Sequence, residues 1–179
     1  MPLSAFQPKQ MRLVVEKATE LGVAALHPVV TQRVQGRKQG YEDEDETKQL
    51  AVAIEAAEQS DRLTVPSVEQ TRSLEAAVAG LVTSGPVSFF VCEERSEATV
   101  PLLDALAADP SDSPAVFLIG PEGGWAPGEL DRVFASLDAD RCRLWRVSLG
   151  AGILRAETAS LYALATWNAF RHSRKKYTA

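Results

Sequence analysis

The stretch "VFLIGPEGGWAPGEL" at residues 116–130 interrupts an apolar run with a glycine-rich turn and then resumes with helical spacing. The apolar run predicts a buried strand, and the spacing after the turn predicts a helix. Glycines 120, 123 and 124 allow the backbone to approach a ligand, and Pro121 reduces the entropy lost on ordering the turn. A tight connection between a strand and a helix would have the same composition, so this turn does not identify a site by itself.

Strands and helices alternate along most of the chain. Residues 9–22 predict a first helix that Gly22 ends, and "VAALHPVV" (23–30) predicts a buried strand that stops at Pro28. Several strands are apolar along their whole length, which is typical of a parallel sheet that is covered on both faces. The sequence therefore predicts an α/β fold with a mostly parallel sheet and helices on both faces.

Three further helical patterns carry specific expectations. A helix near residues 47–60 should place Leu50, Ile54 and Ala57 on one face. Ser73 is predicted to be the N-cap of the next helix, and Pro127 to be the first residue of a later one.

The bulk composition bounds the class of protein. A chain of 179 residues, with 45% hydrophobic and 24% charged residues, indicates one globular domain. No stretch has the length and apolar character of a signal peptide core or a membrane span, so we expect a protein that acts inside a cell and binds no membrane. Two cysteines without a paired spacing and only two histidines predict neither a disulfide framework nor a metal site.

The charge is unevenly placed. The net charge is −5, and "EDEDE" (42–46) carries five negative charges, so the rest of the chain has no formal net charge. Cationic residues gather near Arg33, Arg37 and Lys38 and in "RHSRKK" (171–176). A local basic face for nucleic acid is compatible with this distribution, and solvated surface is the alternative.

Ligands of open parallel sheets bind at the carboxyl ends of the strands, in the loops that follow them. Three such loops stand out: "VCEER" (91–95), "IGPEGGW" (119–125) and "SLGAGILRAET" (148–158). None has the glycine spacing of a phosphate-binding loop. Glu122 would repel a pyrophosphate and would favour a cation.

The third of these loops is rich in glycine, as the second is. Gly150 and Gly152 leave the backbone bare, and Ile153 and Leu154 supply an apolar wall. Arg155 and Glu157 follow at the start of the last helix, although Glu157 and Thr158 would also be favourable there simply as capping residues.

Together, "GPEGG" (120–124) and "LGAGILRAETA" (149–159) resemble the cofactor-binding loops of the SPOUT superfamily, and most closely those of the RsmE family. "EKATELGV" (16–23), "HPVVTQR" (27–33) and "EQSDRLTVP" (58–66) are also similar to this family. The resemblance implies an S-adenosylmethionine-dependent enzyme that methylates the N3 of a uridine in small-subunit ribosomal RNA. It further implies a C-terminal trefoil knot and a homodimer with active sites at the subunit interface.

The resemblance also implies residue roles. Arg155 would stabilise the uridine anion, with Glu122 or Glu157 as the proton acceptor, and a structural salt bridge is the alternative for Arg155. Substrate contacts are expected from His27, Arg33, Arg62 and Arg155, although a lone histidine at a strand end is more often structural. The expected cofactor-binding residues are Cys92, Glu93, Leu118, Ile119, Gly120, Pro121, Glu122, Gly123, Gly124, Leu149, Gly150, Ile153 and Leu154.

Members of this family usually carry an N-terminal RNA-binding domain similar to the PUA fold. The sequence is expected to hold only the methyltransferase domain, over residues 1–179. Expected partners are ribosomal RNA or the small ribosomal subunit and a second copy of the chain, in the cytoplasm or in a eukaryotic organelle. Two alternatives stay open: another SPOUT RNA methyltransferase, or a non-catalytic RNA-binding or assembly module.

Overall fold

Strands and helices alternate in the structure, a computed structural model that describes residues 2–4, 8–33, 46–93, 96, 98–110, 112–121, 123–135, 137–138 and 140–177. The strands are β1 (Pro2–Ser4), β2 (Ala25–Val30), β3 (Ser67–Val68), β4 (Arg72–Ser73), β5 (Val87–Cys92), β6 (Val100–Pro101), β7 (Ala115–Ile119) and β8 (Cys142–Ser148). The helices are α1 (Pro8–Glu20), α2 (Glu46–Gln59), α3 (Leu74–Thr83), α4 (Leu102–Ala108), α5 (Glu129–Phe134) and α6 (Ala156–Tyr177).

The strands form one sheet in the order β3-β2-β1-β7-β5-β8-β6, and β4 also pairs with β2. Each strand pairing within the described part of the chain is parallel. The expected parallel α/β sheet is therefore confirmed. Since the strands are parallel, the loops that follow β5, β7 and β8 leave the sheet at one edge.

Alternate side chains of the central strands divide the core into two layers. Phe90 and Phe117 stack with ring centroids 5.3 Å apart and pack with residues of α1, α4 and α6. Phe89 and Leu118 face the opposite layer, where they pack with residues of α3 and α5. Helices therefore cover both faces of the sheet, as the apolar strands predict.

Two expectations about helix ends are confirmed. Gly22 has φ +86 and follows α1, where its N–H donates to Thr19 O at 2.9 Å. Ser73 accepts a hydrogen bond from the N–H of Ala76 at 3.2 Å and thereby caps α3.

The strand expected to stop at Pro28 instead continues to Val30, so that expectation was wrong. Ala25 and Leu26 pair with β3, whereas Val29 and Val30 pair with β4. Pro28 lies between these two short ladders, where its missing N–H breaks neither of them.

Two expectations about helices also need correction. Helix α5 begins at Glu129 rather than at Pro127, because Gly128 adopts φ +69 and cannot continue a right-handed helix from the proline. On α2 the buried residues are small alanines, while Leu50 and Ile54 are 44% and 40% exposed. Close packing of α2 against α1 uses the alanine face, and the larger apolar side chains point outward.

Candidate cofactor and active site

A cavity of about 800 Å³ opens at the carboxyl edge of the sheet. Its walls come from the segment after β5, from residues 120–125 after β7 (the 120s loop) and from residues 149–155 after β8 (the 150s loop). The start of α1 and the residue Arg33 complete it. The expected convergence of the three loops is thus found in the structure.

Most residues expected to bind the cofactor lie in this wall. The lining includes Cys92, Glu93, Ile119, Gly120, Pro121, Gly123, Gly124, Ile153 and Leu154, together with Arg33 and Arg155. Glu122 lies outside the described residues. Sequence reasoning did not select Gln10, Ser96, Ala156 and Ala159, which also line the cavity, because nothing in their local sequence marks them.

Leu118 cannot flank a ligand in this cavity, which corrects the expectation for it. Its side chain is fully buried and packs toward α3 and α5, on the opposite layer from the lining residue Ile119. Leu149 and Gly150 do not line the cavity either; Leu149 is buried in the core layer with α1, α4 and α6.

Trp125, at the end of the 120s loop, lines the cavity. Its Nε1 donates to the carbonyl oxygen of Cys92 at 3.2 Å, which ties this loop to the end of β5. A Cβ added to Gly120 would lie 3.0 Å from Cε2 of Trp125, so the indole packs directly on the glycine backbone. Glycine at position 120 is therefore needed for the tryptophan to occupy its place.

Arg33 packs against the same loop at Gly123, where an added Cβ would lie 3.4 Å from its carbonyl oxygen. Its Nη1 donates to the carbonyl oxygen of Gly123 at 3.2 Å. The guanidinium is exposed and lines the cavity, so it is placed to contact a bound substrate and to brace the loop.

Glu129 was missed by sequence reasoning and is the most deeply buried acidic residue of the described chain, with 2% exposure. Its Oε1 accepts from Gln32 N at 2.7 Å, and its Oε2 accepts from Ala126 N at 2.8 Å. A buried carboxylate is tolerated when charge-assisted hydrogen bonds replace its hydration. Its partner Gln32 is 97 residues away in sequence, so no local pattern could reveal the contact.

Glu93 presents a carboxylate to the cavity and is held from behind by Arg146. The Nη1 of Arg146 lies 3.1 Å and 3.4 Å from the two carboxylate oxygens of Glu93. Its Nη2 lies 2.5 Å from Oδ1 of Asp131 on α5. This chain of charges fixes the orientation of Glu93 beside the cavity.

The 150s loop is shaped by local hydrogen bonds. Ser148 Oγ donates to Gly150 O and accepts from Gly150 N, both at 3.2 Å, and Gly150 has φ +128. Ile153 is 66% exposed, and Arg155 is exposed.

Glu157 does not line the cavity, although it follows the 150s loop in the first turn of α6. Its Oε2 is buried and has no hydrogen-bond partner among the described residues. A buried carboxylate oxygen without a partner is costly, so a donor from outside the described residues, such as a water molecule, would stabilise it.

His27 and Arg62 do not line the cavity, so their contact with a substrate stays a prediction. Nη1 of Arg62 donates to Thr19 O at 2.6 Å, so its guanidinium closes the end of α1. Burial lowers the pKa of His27 to about 4, which keeps the imidazole neutral at pH 7.

The described residues lack a metal-ligand cluster and a membrane-spanning helix. They contain no group of three or more histidine, cysteine, aspartate or glutamate residues that could hold a metal ion. No helix among them has the length and apolar character needed to cross a membrane.

Comparison with known proteins connects this cavity to a family. Residues 3–168 match the family model described as RNA methyltransferase domain. The ribosomal RNA small subunit methyltransferase E of Rickettsia conorii is 31% identical over 87% of this chain. The alignment covers 58% of that protein, so the chain spans less than two thirds of its relative's length.

Solved structures give the same picture. A ribosomal RNA small subunit methyltransferase E from Neisseria gonorrhoeae, bound to S-adenosyl methionine, is 28% identical with a TM-score of 0.73. The match covers 94% of this chain and 64% of that one. The TrmH/SpoU tRNA modifying enzyme of A. aeolicus has a TM-score of 0.56 at 11% identity over 99% of this chain and 77% of its own, which supports the SPOUT fold alone.

These matches confirm the resemblance to RsmE on which the expected site rested. The loops that carry the resemblance are also the loops that form the cavity. The chain therefore belongs to the family of RNA methyltransferase domains.

Proposed function

We propose that residues 1–179 form a methyltransferase domain that uses S-adenosylmethionine to methylate the N3 of a uridine in small-subunit ribosomal RNA. The observation that carries this proposal is the convergence of the 120s and 150s loops on one cavity. Its support from relatives is that similar proteins are named as small-subunit ribosomal RNA methyltransferases, one of them bound to S-adenosyl methionine.

The cavity suits this cofactor in size and chemistry. Its volume of about 800 Å³ lies within the range of small-molecule sites. Gly124 has open space where a side chain would stand, which leaves room for a flat ring, whereas Trp125 covers Gly120 and Arg33 covers Gly123. Ile119 and Leu154 supply apolar contact. Glu93 offers carboxylate oxygens to hydroxyl or amino groups, and its negative charge favours a sulfonium cation.

S-adenosylmethionine would supply an already activated methyl group, so the protein's task is to orient the nucleophile and exclude water. The N3 of uridine attacks well only as the anion. The exposed Arg155, which lines the cavity, would lower the free energy of that anion by its positive charge. Arg33, which also lines the cavity, would contact a phosphate or a base.

The proton from N3 needs an acceptor. We propose one of the two carboxylates that the resemblance implies. Glu157 lies two residues from Arg155 and has an Oε2 without a partner among the described residues, although it does not line the cavity. Glu122 is the other candidate carboxylate and lies outside the described residues. His27 and Arg62 have no part in this proposal, since neither lines the cavity.

We further propose that the C-terminal part forms a trefoil knot and that the active unit is a homodimer. The position of β8 between β5 and β6, two strands that precede it in the chain, supports a threaded connection. The 66% exposure of Ile153 supports a second subunit that closes the site. A protein that acts on ribosomal RNA is expected in the bacterial cytoplasm.

The test is methyl transfer from labelled S-adenosylmethionine to small ribosomal subunits that lack the modification, followed by nucleoside mass spectrometry. We expect 3-methyluridine, with a strong loss of activity in Arg155→Lys and none in the control Arg143→Lys, an exposed arginine of β8. A different methylated nucleoside would replace the uridine-N3 assignment with another RNA methyltransferase activity. Cofactor and RNA binding without transfer would replace it with a non-catalytic module.

A further inference from the structure

The carboxylate of Glu129 joins two separate parts of the cavity wall. One of its oxygens accepts from the N–H of Gln32, which directly precedes the lining residue Arg33. The other accepts from the N–H of Ala126, which directly follows the lining residue Trp125. A single buried side chain therefore links these two segments, which also meet directly where Arg33 packs on Gly123.

Each wall is then connected to the rest of the site. The guanidinium of Arg33 donates a hydrogen bond to the carbonyl oxygen of Gly123, and the indole of Trp125 donates one to the carbonyl oxygen of Cys92. A shift of either backbone segment would move a donor away from its acceptor. The geometry of the 120s loop thus depends on a carboxylate that does not itself line the cavity.

The environment of Glu129 excludes direct chemistry. Its side chain is buried, and both oxygens are occupied by backbone N–H groups at 2.7 Å and 2.8 Å. A proton acceptor must reach the substrate, which this buried carboxylate outside the cavity lining does not.

We infer that Glu129 is a positioning residue for methyl transfer, which acts by holding the segment of Gln32 and Arg33 against the end of the 120s loop and so fixes Arg33 and Trp125 beside the cavity. This inference rests on the proposed function. A preorganised wall binds without first losing conformational entropy, so the effect should appear in both cofactor affinity and substrate turnover.

The test is Glu129→Gln, which keeps the size of the side chain but turns one acceptor into a donor that faces a backbone N–H. Loss of a hydrogen bond to a charged group corresponds to about a tenfold to hundredfold change. We expect a decrease of that size in kcat/KM for ribosomal RNA and a smaller rise in the Kd of S-adenosylmethionine. The matched control is Glu75→Gln, which changes an exposed glutamate in the first turn of α3 and should leave both values unchanged.

A double-mutant cycle with Arg33→Ala separates positioning from general destabilisation. If Glu129 acts through Arg33, Glu129→Gln should reduce kcat/KM much less in the Arg33→Ala background than in the wild type. Equal effects in both backgrounds, or a lowered Tm with unchanged kcat/KM and Kd, would overturn the inference. If Glu129→Gln does not fold, Glu129→Asp, which keeps the charge but is too short to reach both N–H groups, is measured in the same cycle.

Failure of the proposed function is a separate outcome. It would appear as a wild-type protein that neither binds S-adenosylmethionine nor transfers methyl groups. Failure of the present inference would appear as an active wild type whose Glu129→Gln variant behaves like Glu75→Gln.

Discussion

The two glycine-rich loops of the cavity are built in opposite ways. Side chains from outside the 120s loop hold it in place. Arg33 donates a hydrogen bond to the carbonyl oxygen of Gly123, and Glu129 accepts one from the N–H of Ala126, which follows Trp125. The 150s loop is shaped by local bonds between Ser148 and Gly150, and Ile153 projects with 66% exposure.

This difference indicates that the two loops contribute to binding in different ways. A braced loop loses little conformational entropy on binding, so the 120s loop is ready to receive a ligand. An apolar residue that is mostly exposed gains stability when something covers it, so the 150s loop is completed by its ligand or by a second subunit.

The largest effect is expected from Gly120→Val, which attacks the braced loop at its tightest point. The new side chain would meet Cε2 and Nε1 of Trp125 at 3.0–3.1 Å and displace the indole from Cys92. Overpacking of this kind costs about 2–3 kcal/mol, which corresponds to about a 30- to 150-fold rise in the Kd of S-adenosylmethionine if the whole cost falls on the binding-competent loop. Equilibrium dialysis with labelled cofactor measures it.

The matched control is Gly152→Val in the 150s loop. An added Cβ at Gly152 meets nothing within 4 Å, so its effect on cofactor affinity should be at least tenfold smaller, by an order-of-magnitude estimate from the overpacking cost. Equal losses in the two variants would contradict the distinction between a braced and an open loop.

Ile153→Ser tests the open loop. If Ile153 is buried in the proposed dimer interface, removal of its side chain costs about 1.5 kcal/mol, so the dimer dissociation constant should rise about tenfold. Sedimentation velocity over a range of concentrations measures it. Leu63→Ser, at a fully exposed leucine of neither loop, is the control and should leave dimerisation unchanged. An unchanged dimer in Ile153→Ser would assign the cover of this loop to the ligand alone.

Gly124→Ala tests whether the 120s loop requires the positive φ that Gly124 adopts. Gly124 has φ +69 and open space around its Cα, so the substitution adds conformational cost without a clash. We expect the free energy of unfolding to fall by about 1 kcal/mol, as measured by chemical denaturation. Gly80→Ala in α3 should be neutral or stabilising, because alanine favours a helix. Equal stability of the Gly124→Ala and wild-type proteins would show that the turn relaxes freely.

The smallest effect concerns a residue of neither loop. The pKa of His27 is lowered by burial from 6.5 to about 4, so between these values the unfolded chain binds a proton that the folded chain does not. Stability contributed by neutral His27 is therefore lost as the pH falls from about 6.5 to about 4. The Tm of His27→Gln should fall less over this range than that of the wild type, while cofactor affinity at pH 7 stays the same. A changed affinity would place His27 in the site.

Local patterns predicted the parts of the fold that local physics decides. The apolar run of β7, the glycine after α1 and the Ser73 cap all depend on neighbours in sequence, and all three were predicted. The end of β2 was predicted wrongly at Pro28, because a proline is tolerated within β2 only through the way in which β3 and β4 pair on either side of it.

The site was predictable to the extent that its residues lie in the two loops. Glycines mark those loops directly, and most residues expected from them line the cavity. Glu129 was missed because one of its two partners, Gln32, comes from a distant segment, and because its burial is a property of the folded chain. Leu118 was misassigned because alternate residues of a strand face opposite layers, and only its neighbour Ile119 faces the cavity.

The most direct test of a cofactor site between the two loops is a calorimetric titration of S-adenosylmethionine into the wild-type protein and the Gly124→Trp variant. We predict saturable binding to the wild type and a loss of binding in the variant, because position 124 lines the cavity and an indole there would fill it. The absence of binding to a well-folded wild type, or unchanged binding to the variant, would contradict this assignment of the cavity.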